Sequence, residues 1–410
     1  MYDLLVQASS LLFAIATVTL VFRLIARRYG SGVYWVSGII ALALHVLFSL
    51  FILPKLPYGW DIHQFHEVAT VLAGGRLPEA SSTVGAFSGF QATAYAIFTP
   101  DPTIVSVLNA LFAVLLPLPV AYLATRLYPD VESTQGLTVV VLYLPVSFVF
   151  LSLPMRDSMT VALTFATLAC GVRAFRRWDG IAAALGIPCL GMLYLLRPEL
   201  AILVVLGCAA GTTLNAINCV ARRPISLTML SGIAVFSGAI GFSLFTYQYP
   251  LATLTSRVAF RRTGGAAYLT ELQYQSWLDV LLVAPIRAIY FQYAPFPLHV
   301  TSVFDFVGML SLPLLIALTV VAFRSFSQCR FDDAILITLV IVYGGGVVGY
   351  GLIDSNFGTT IRHRIPFVLL MVVFAAPVVE RWERLLLDEL QQWPQQRGEY
   401  DKQDNETHEL

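Results

Sequence analysis

Lysine is almost missing from this 410-residue chain. Only Lys55 and Lys402 stand against twenty-three arginines, and charged residues of all kinds make up 12%. With so little charge and a net charge of zero, there is no electrostatic case for nucleic acid as a partner. The five cysteines, Cys170, Cys189, Cys208, Cys219 and Cys329, lie singly without C-x-x-C spacing and read as small apolar core residues. A G-x-x-x-x-G-K-[ST] loop, a D-x-D motif and a soluble nucleotide-binding domain are also missing, which argues against a nucleotide-sugar or ATP-driven enzyme. No internal repeat of the kind that marks solenoids or many transporters is visible. The preference for arginine over lysine fits an arginine-favouring genome and also suits phosphate recognition, and composition does not separate the two.

What the chain has in abundance is apolar sequence. It is 57% hydrophobic and breaks into runs of about twenty residues, the length that crosses a hydrocarbon core as a helix. Leu4 to Phe22, Val33 to Leu53 and Leu200 to Val220 carry few or no charges. These runs predict an all-α, polytopic transmembrane helix bundle that forms a single domain over 1–390. Cytoplasmic loops collect Lys and Arg, so Arg23/Arg27/Arg28, Arg173/Arg176/Arg177, Arg222/Arg223, Arg324/Arg330 and Arg381/Arg384 are expected to share the inner face. One threading satisfies all five clusters, with about eleven spans near 4–22, 33–53, 104–125, 137–153, 158–174, 180–196, 200–220, 226–246, 304–323, 334–352 and 365–379. It makes a multi-pass protein of the cell membrane, with the N-terminus outside and the C-terminus cytoplasmic. Two further apolar stretches, 85–98 and 277–293, are assigned to interfacial or re-entrant segments; were both to cross, the count would be thirteen. The polar, acidic tail 391–410 is expected to be disordered in the cytoplasm.

The arginine clusters alone set this threading, so whatever falls on the outer face is a separate result. The residues found there are Asp61, His63, His66 and Glu67, then Arg156-Asp157, Arg197-Pro198-Glu199, Arg257, Arg261 and Arg262, and finally His299, Asp354, Asn356, Arg362, His363 and Arg364. Ionisable groups at helix ends near lipid are costly unless paired or lining a wet cavity, so this gathering from several loops points to one polar site. Within the outer loop at 54–84, Asp61 stands three residues before Gln64, as in a capping box, and Gly74-Gly75 ends the segment. Ile62, Phe65, Ala69 and Leu72 recur at helical spacing, with His63, His66 and Glu67 on the opposite face. The expected element is an amphipathic helix lying in the outer interface. Asp61 then has two readings, helix N-cap or catalytic base. Asp61, His63, His66 and Glu67 are also ligand types for a divalent metal such as zinc or manganese, although the spacing is looser than H-E-x-x-H. Arg156-Asp157 and Arg197-Pro198-Glu199 place guanidinium groups at one membrane depth, suited to a lipid phosphate or to mutual pairing as helix glue.

Together these features resemble the integral-membrane glycosyltransferases of the C superfamily, which includes protein O-mannosyltransferases and lipid A aminoarabinose transferases. Asp61-Ile62-His63-Gln64-Phe65 with Ala69, Leu72 and Gly75 is similar to that family's D-x-x-x-Y-x-x-x-A-x-x-L-x-x-G run, with Phe65 in place of the tyrosine and His63 where many members carry a second acid. Leu153 to Ser158, Leu196 to Glu199, Ala294 to Pro297 and Asn356 to Pro366 resemble segments of multispan polysaccharide-assembly proteins. The resemblance implies transfer of a sugar from a polyprenyl-phosphate donor to a glycan, lipid or protein acceptor at the extracytoplasmic face. Asp61 would serve as base, with His63, His66 or Glu67 orienting it or holding a metal. Arg156, Arg197, Arg362 and Arg364 would take the phosphate, with Asp157, Glu199, Asn356 and His363 in support. A polymerase using the same chemistry is a close variant. From a different class, a transporter or flippase of lipid-linked glycan also uses many helices and intramembrane charge, but tends to show repeated halves and charge near the midplane. His45 and Asn109 are the few deep polar residues, and each reads as a satisfied helix-packing residue.

Overall fold

Prolines and short polar caps divide the apolar runs into helices. The computed structural model describes residues 2–56, 60–78, 80–221, 227–262, 266–329 and 333–389. Its first half comprises α1 (Tyr2–Tyr29), α2 (Gly32–Leu47), α3 (Trp60–Ala73), α4 (Ser82–Ile97), α5 (Pro102–Leu115), α6 (Pro117–Leu127), α7 (Gln135–Tyr143), α8 (Pro145–Leu151) and α9 (Asp157–Arg177). The second half comprises α10 (Gly180–Leu196), α11 (Pro198–Ala221), α12 (Leu227–Gln248), α13 (Leu251–Arg261), α14 (Trp277–Tyr293), α15 (Val303–Leu310), α16 (Leu312–Ser325), α17 (Ala334–Ile353), α18 (Phe357–His363) and α19 (Ile365–Phe374). A last helix covers 376–389. Among the described residues, the one extended pairing is an isolated antiparallel bridge between Ala267 and Asn356.

Among the described residues the chain is all-helical, with helices long and apolar enough to span a membrane. Seven described helices are long and apolar enough to cross a bilayer, or eight if the pair Phe357–His363 and Ile365–Phe374, bent by 41°, is one span. Fewer described helices are long and apolar enough to cross than the eleven spans expected, and the reason is local. Leu144-Pro145 splits the expected 137–153 span into two short helices, because proline has no N–H for the helix ladder and clashes with the preceding turn. The apolar helix Gly180–Leu196 reaches only 17 residues. The expected tail 391–410 and the arginines Arg222, Arg223 and Arg330 lie outside the described residues. All five cysteines are free, but only Cys329 is buried, and Cys219 is exposed on the flank of α11.

Two ends of the bundle are distinguishable by the contacts made there. At one end Arg176 approaches the Arg126 carbonyl (3.4 Å) and Asp333 (3.6 Å). Glu380 accepts from the backbone N–H groups of Glu132 and Ser133, and Glu383 from that of Gly136. The other end gathers Asp61, Arg156, Arg197 and Arg362. Helices α9, α10, α11 and α17 each run from one end to the other. Close packing of α11 on α17 sets how their ends align. A Cβ at Gly207 would come within 2.7 Å of the Thr338 carbonyl oxygen, and one at Gly211 within 2.9 Å of the Ala334 oxygen. Gly207 and Gly211 form a G-x-x-x-G pair, the small-residue stripe that lets two helix backbones approach in a membrane. That contact fixes Pro198 at the start of α11 near the end of α17, so Arg197 and Glu199 stand near Tyr350.

The amphipathic helix expected in the outer loop is present as α3. Phe65 and Ala69 are buried while His63, Gln64, Glu67 and Thr70 are exposed. The apolar face of α3 packs on α4, where Phe65 meets Phe87 edge-on at 5.0 Å and the Ser88 hydroxyl donates to the Phe65 carbonyl (3.2 Å). Met159 and Leu196 close the same cluster, which seats α3 against the starting turn of α9 and the end of α10. The 85–98 stretch is α4, and 277–293 is α14.

Candidate functional site

Asp61 lies in the first turn of α3 rather than before it, so its carboxylate is not the N-cap of the helix. It accepts a hydrogen bond from Arg362 Nη1 at 2.8 Å. The Asp61 side chain is 36% exposed and that of Arg362 only 10%, so the carboxylate faces solvent while its partner is embedded. The same Arg362 Nη1 lies 3.2 Å from the Met155 sulfur and 3.8 Å from Asp157 Oδ2, and its Nε donates to the Gly358 carbonyl (3.2 Å). Asp157 is buried and also accepts from Arg197, which is equally buried. Two arginines thus converge on Asp157, and one of them reaches Asp61.

Arg156, next to Asp157 in sequence, behaves differently. Its Nη1 donates to the Leu196 carbonyl at 3.2 Å, and no carboxylate is within ion-pair distance of it among the described residues. It stands outside the membrane-spanning segment that begins at Asp157. Burial, followed by the nearby Arg197 guanidinium, pulls its pKa down to about 10, which still leaves it charged at neutral pH. Glu199, on the far side, accepts from the Tyr249 hydroxyl, which in turn accepts from Arg257 Nη1 (3.0 Å). The Arg257 guanidinium also sits over the Tyr249 ring, 4.7 Å from its centroid. Asp354, wholly buried, is held by Arg261 and by His363 Nδ1 at 2.7 Å.

The turn between α8 and α9 presents Met155, Arg156 and Asp157, and a buried polar network holds it in place. Asn109 Nδ2 donates to the carbonyls of Leu153 (2.7 Å) and Met155 (2.8 Å). Ser106 donates to the Ser152 carbonyl, Ser49 pairs with Ser106 (2.5 Å), and His45 Nδ1 meets the Ser152 hydroxyl at 2.6 Å. A non-helical turn in a dry interior leaves carbonyls without partners, and each such group costs about 1–3 kcal/mol. His45 and the Asn109 amide N–H groups are therefore engaged by the turn that carries the site rather than by a neighbouring helix, while Asn109 Oδ1 is buried without a partner.

Comparisons with family models, with curated proteins and with solved structures find no match. A solvent-facing carboxylate clamped by an arginine is oriented to accept a proton from a hydroxyl, and a guanidinium without a carboxylate partner at the same end of the bundle can take an anion.

Several residues singled out from sequence do not join this group. Arg364 is fully buried and donates to the carbonyls of Ala294 (2.5 Å) and Gln292 (3.4 Å) and to the Ser311 hydroxyl (3.3 Å). It caps the C-terminal carbonyls of α14 and does not reach the Asp61 cluster. Asn356 is the N-cap of α18, accepting from the Gly358 N–H at 3.0 Å. His299 contacts the rings of Tyr290, Phe296 and Phe357. His66 turns to Tyr95 on α4 (Nδ1 to Oη, 2.7 Å), and burial lowers its pKa, which keeps the ring neutral at pH 7. His63 and Glu67 face solvent. The four residues weighed as metal ligands do not converge, and among the described residues no three His, Cys, Asp or Glu side chains form a metal-binding group.

The structure adds Met155, Tyr249 and Tyr350 to the group and gives Arg257 and Arg261 carboxylate partners. Arg257 and Arg261 were legible as an i, i+4 pair on a short polar segment. Tyr249 and Tyr350 sit at the ends of apolar runs and carry no local signal that separates them from interfacial aromatics.

Proposed function

We propose that this protein is a membrane glycosyltransferase that moves a sugar from a polyprenyl-phosphate-linked donor to a glycan, lipid or protein acceptor at the extracytoplasmic face. The observation that carries this is the convergence of Asp61, Arg362, Asp157, Arg197 and Arg156 from four separate parts of the chain at one end of the bundle. Breaking a sugar–phosphate bond requires a base for the incoming hydroxyl and positive groups for the departing phosphate, and both kinds of group meet here. The resemblance of the Asp61 run to the C superfamily points the same way. In this assignment Asp61 is the base and Arg362 orients it. Arg156, held by the Leu196 carbonyl, takes the phosphate, and Asp157, paired with Arg197, fixes Arg362 in place. Glu199, with Tyr249 and Arg257, forms the adjoining wall. Concentration of charge at one end favours a transferase over a transporter, whose charges tend to lie at the midplane.

The broken helices complete the topology of this reading: eleven crossings, with α5–α6, α7–α8, α15–α16 and α18–α19 each serving as one interrupted span. The Arg176 end is cytoplasmic and the Asp61 end outside. In a cysteine-free background, Gln64→Cys is expected to react with an impermeant thiol reagent in intact cells and Trp178→Cys to remain unlabelled. Labelling of Trp178→Cys alone would put the Asp61 cluster in the cytoplasm and remove the extracytoplasmic assignment. Function itself is tested by comparing lipid-linked and surface glycans in cells with and without the chain. Retained sugar donor together with an acceptor lacking one residue supports transfer, whereas complete glycan trapped on the inner leaflet identifies a flippase.

A further inference from the structure

At the end of the bundle away from Asp61, a cavity of about 270 Å³ lies between the α6–α7 loop, the turn that follows α16 and the last helix. Buried Tyr128 and Val131 form part of its wall, and the Tyr128 hydroxyl is already committed to the Phe374 carbonyl (2.9 Å). The charges around it do not all pair. Glu380, only 6% exposed, accepts from the backbone N–H groups of Glu132 and Ser133 (2.9 Å each) and from Arg384 Nη2 (2.8 Å). Arg384 also lies 3.7 Å from Glu132, so its charge is offset. Arg381 and Asp130 line the same cavity, and among the described residues neither has an ion-pair or side-chain hydrogen-bond partner. One uncompensated positive charge and one uncompensated negative charge therefore border one space.

The depth of the cavity is set by where the apolar helices stop: α6 at Leu127, α16 at Ser325 and α19 at Phe374. Lipid head groups lie at that level. On the last helix Trp382 and Leu385 are 52% and 54% exposed, and Leu385 stands one turn beyond Arg381 on the same side. Tryptophan beside a basic residue at the end of a span is the composition of a membrane boundary. We propose that this cavity holds the head group of a zwitterionic phospholipid with a primary ammonium, of the phosphatidylethanolamine type, with its phosphate on Arg381 and its ammonium on Asp130. The inference is independent of the transferase reading. Guanidinium to phosphate and ammonium to carboxylate are both charge-assisted contacts, and together they use the two charges the fold leaves over. An anionic head group without an ammonium leaves Asp130 unmatched and adds negative charge near Glu380. A choline head group has no N–H to donate to Asp130, and quaternary ammonium is recognised by cages of aromatic faces, whereas the lining here contains one aromatic ring, Tyr128.

The test uses the full chain purified in maltoside, with the dihexanoyl forms of phosphatidylethanolamine, phosphatidylcholine and phosphatidylglycerol as probes and binding read by calorimetry. The ethanolamine lipid is expected to bind about tenfold more tightly than either of the others. Asp130→Asn is expected to remove its advantage over phosphatidylcholine and to raise the affinity for phosphatidylglycerol. Arg381→Gln is expected to weaken the ethanolamine lipid by about tenfold. Both side chains are exposed, and thermal unfolding checks that the variants keep the fold. Equal affinity for the three lipids, or an ethanolamine preference that survives both substitutions in folded protein, overturns the proposal. Glycerophosphoethanolamine, which has the head group without acyl chains, separates a lipid from a soluble ester. Much weaker binding of this probe than of the dihexanoyl lipid supports a lipid occupant, and equal binding overturns the lipid assignment in favour of a soluble phosphoethanolamine ester.

Discussion

Asp61→Asn is expected to leave the protein folded, inserted and able to bind its lipid-phosphate donor, while sugar transfer falls by a factor on the order of a hundred or more. The substitution keeps an oxygen that can accept from Arg362 Nη1, now at 2.8 Å from the carboxylate, and nearly keeps the side-chain shape. What it removes is the basic carboxylate. A hundredfold loss corresponds to about 2.7 kcal/mol of transition-state stabilisation, well beyond the contribution of a solvent-facing ion pair, which is about 0–1 kcal/mol. The measurement is transfer from a lipid-phosphate sugar donor by purified protein, with donor affinity recorded alongside. His63→Ala serves as the control on the same helix, since that side chain is exposed and turns away from the site, and its activity is expected to stay near wild type. Undiminished transfer by Asp61→Asn would reduce the residue to an anchor that ties α3 to α18.

Arg197→Ala is expected to be the most destabilising single change in the site. Arg197 and Asp157 have side-chain exposures of 7% and 4%, so truncating the arginine leaves a buried carboxylate uncompensated, at a cost of about 3–5 kcal/mol. Thermal unfolding in detergent should show this as a large drop in midpoint. Replacing both partners, as Arg197→Leu with Asp157→Leu, should recover most of the lost stability, because an apolar pair avoids the desolvation of two charges. Transfer activity should not recover with it. Asp157 Oδ2 lies 3.8 Å from Arg362, and losing that charge frees the guanidinium that orients Asp61. Full activity in the double variant would mean that the pair only glues α9 to the start of α11.

The sequence by itself determined that the chain is helical and apolar enough to span a membrane, because runs of about twenty apolar residues have no other stable home. It also determined α3, since period-3.6 spacing of Ile62, Phe65, Ala69 and Leu72 needs nothing beyond the local chain to choose a buried face. The arginine rule drew Asp61, Arg156, Arg197, Glu199 and Arg362 onto one side, and the structure brings these residues to one end of the bundle. Which of them touch was decided only in three dimensions. Asp61 and Arg362 are 301 positions apart, and their meeting depends on α3 resting on α4 and on α18 bending away from α19. Arg362 and Arg364 look equivalent in sequence, two positions apart in a polar loop. On a helical turn, a step of two residues points side chains to nearly opposite faces, so one reaches Asp61 and the other caps α14. His66 shares its face with His63 by periodicity, but Tyr95 on the neighbouring helix claims it. Hydrophobic pattern is a property of each segment and is written locally, whereas ion pairs between distant segments exist only after packing has placed the helix ends side by side.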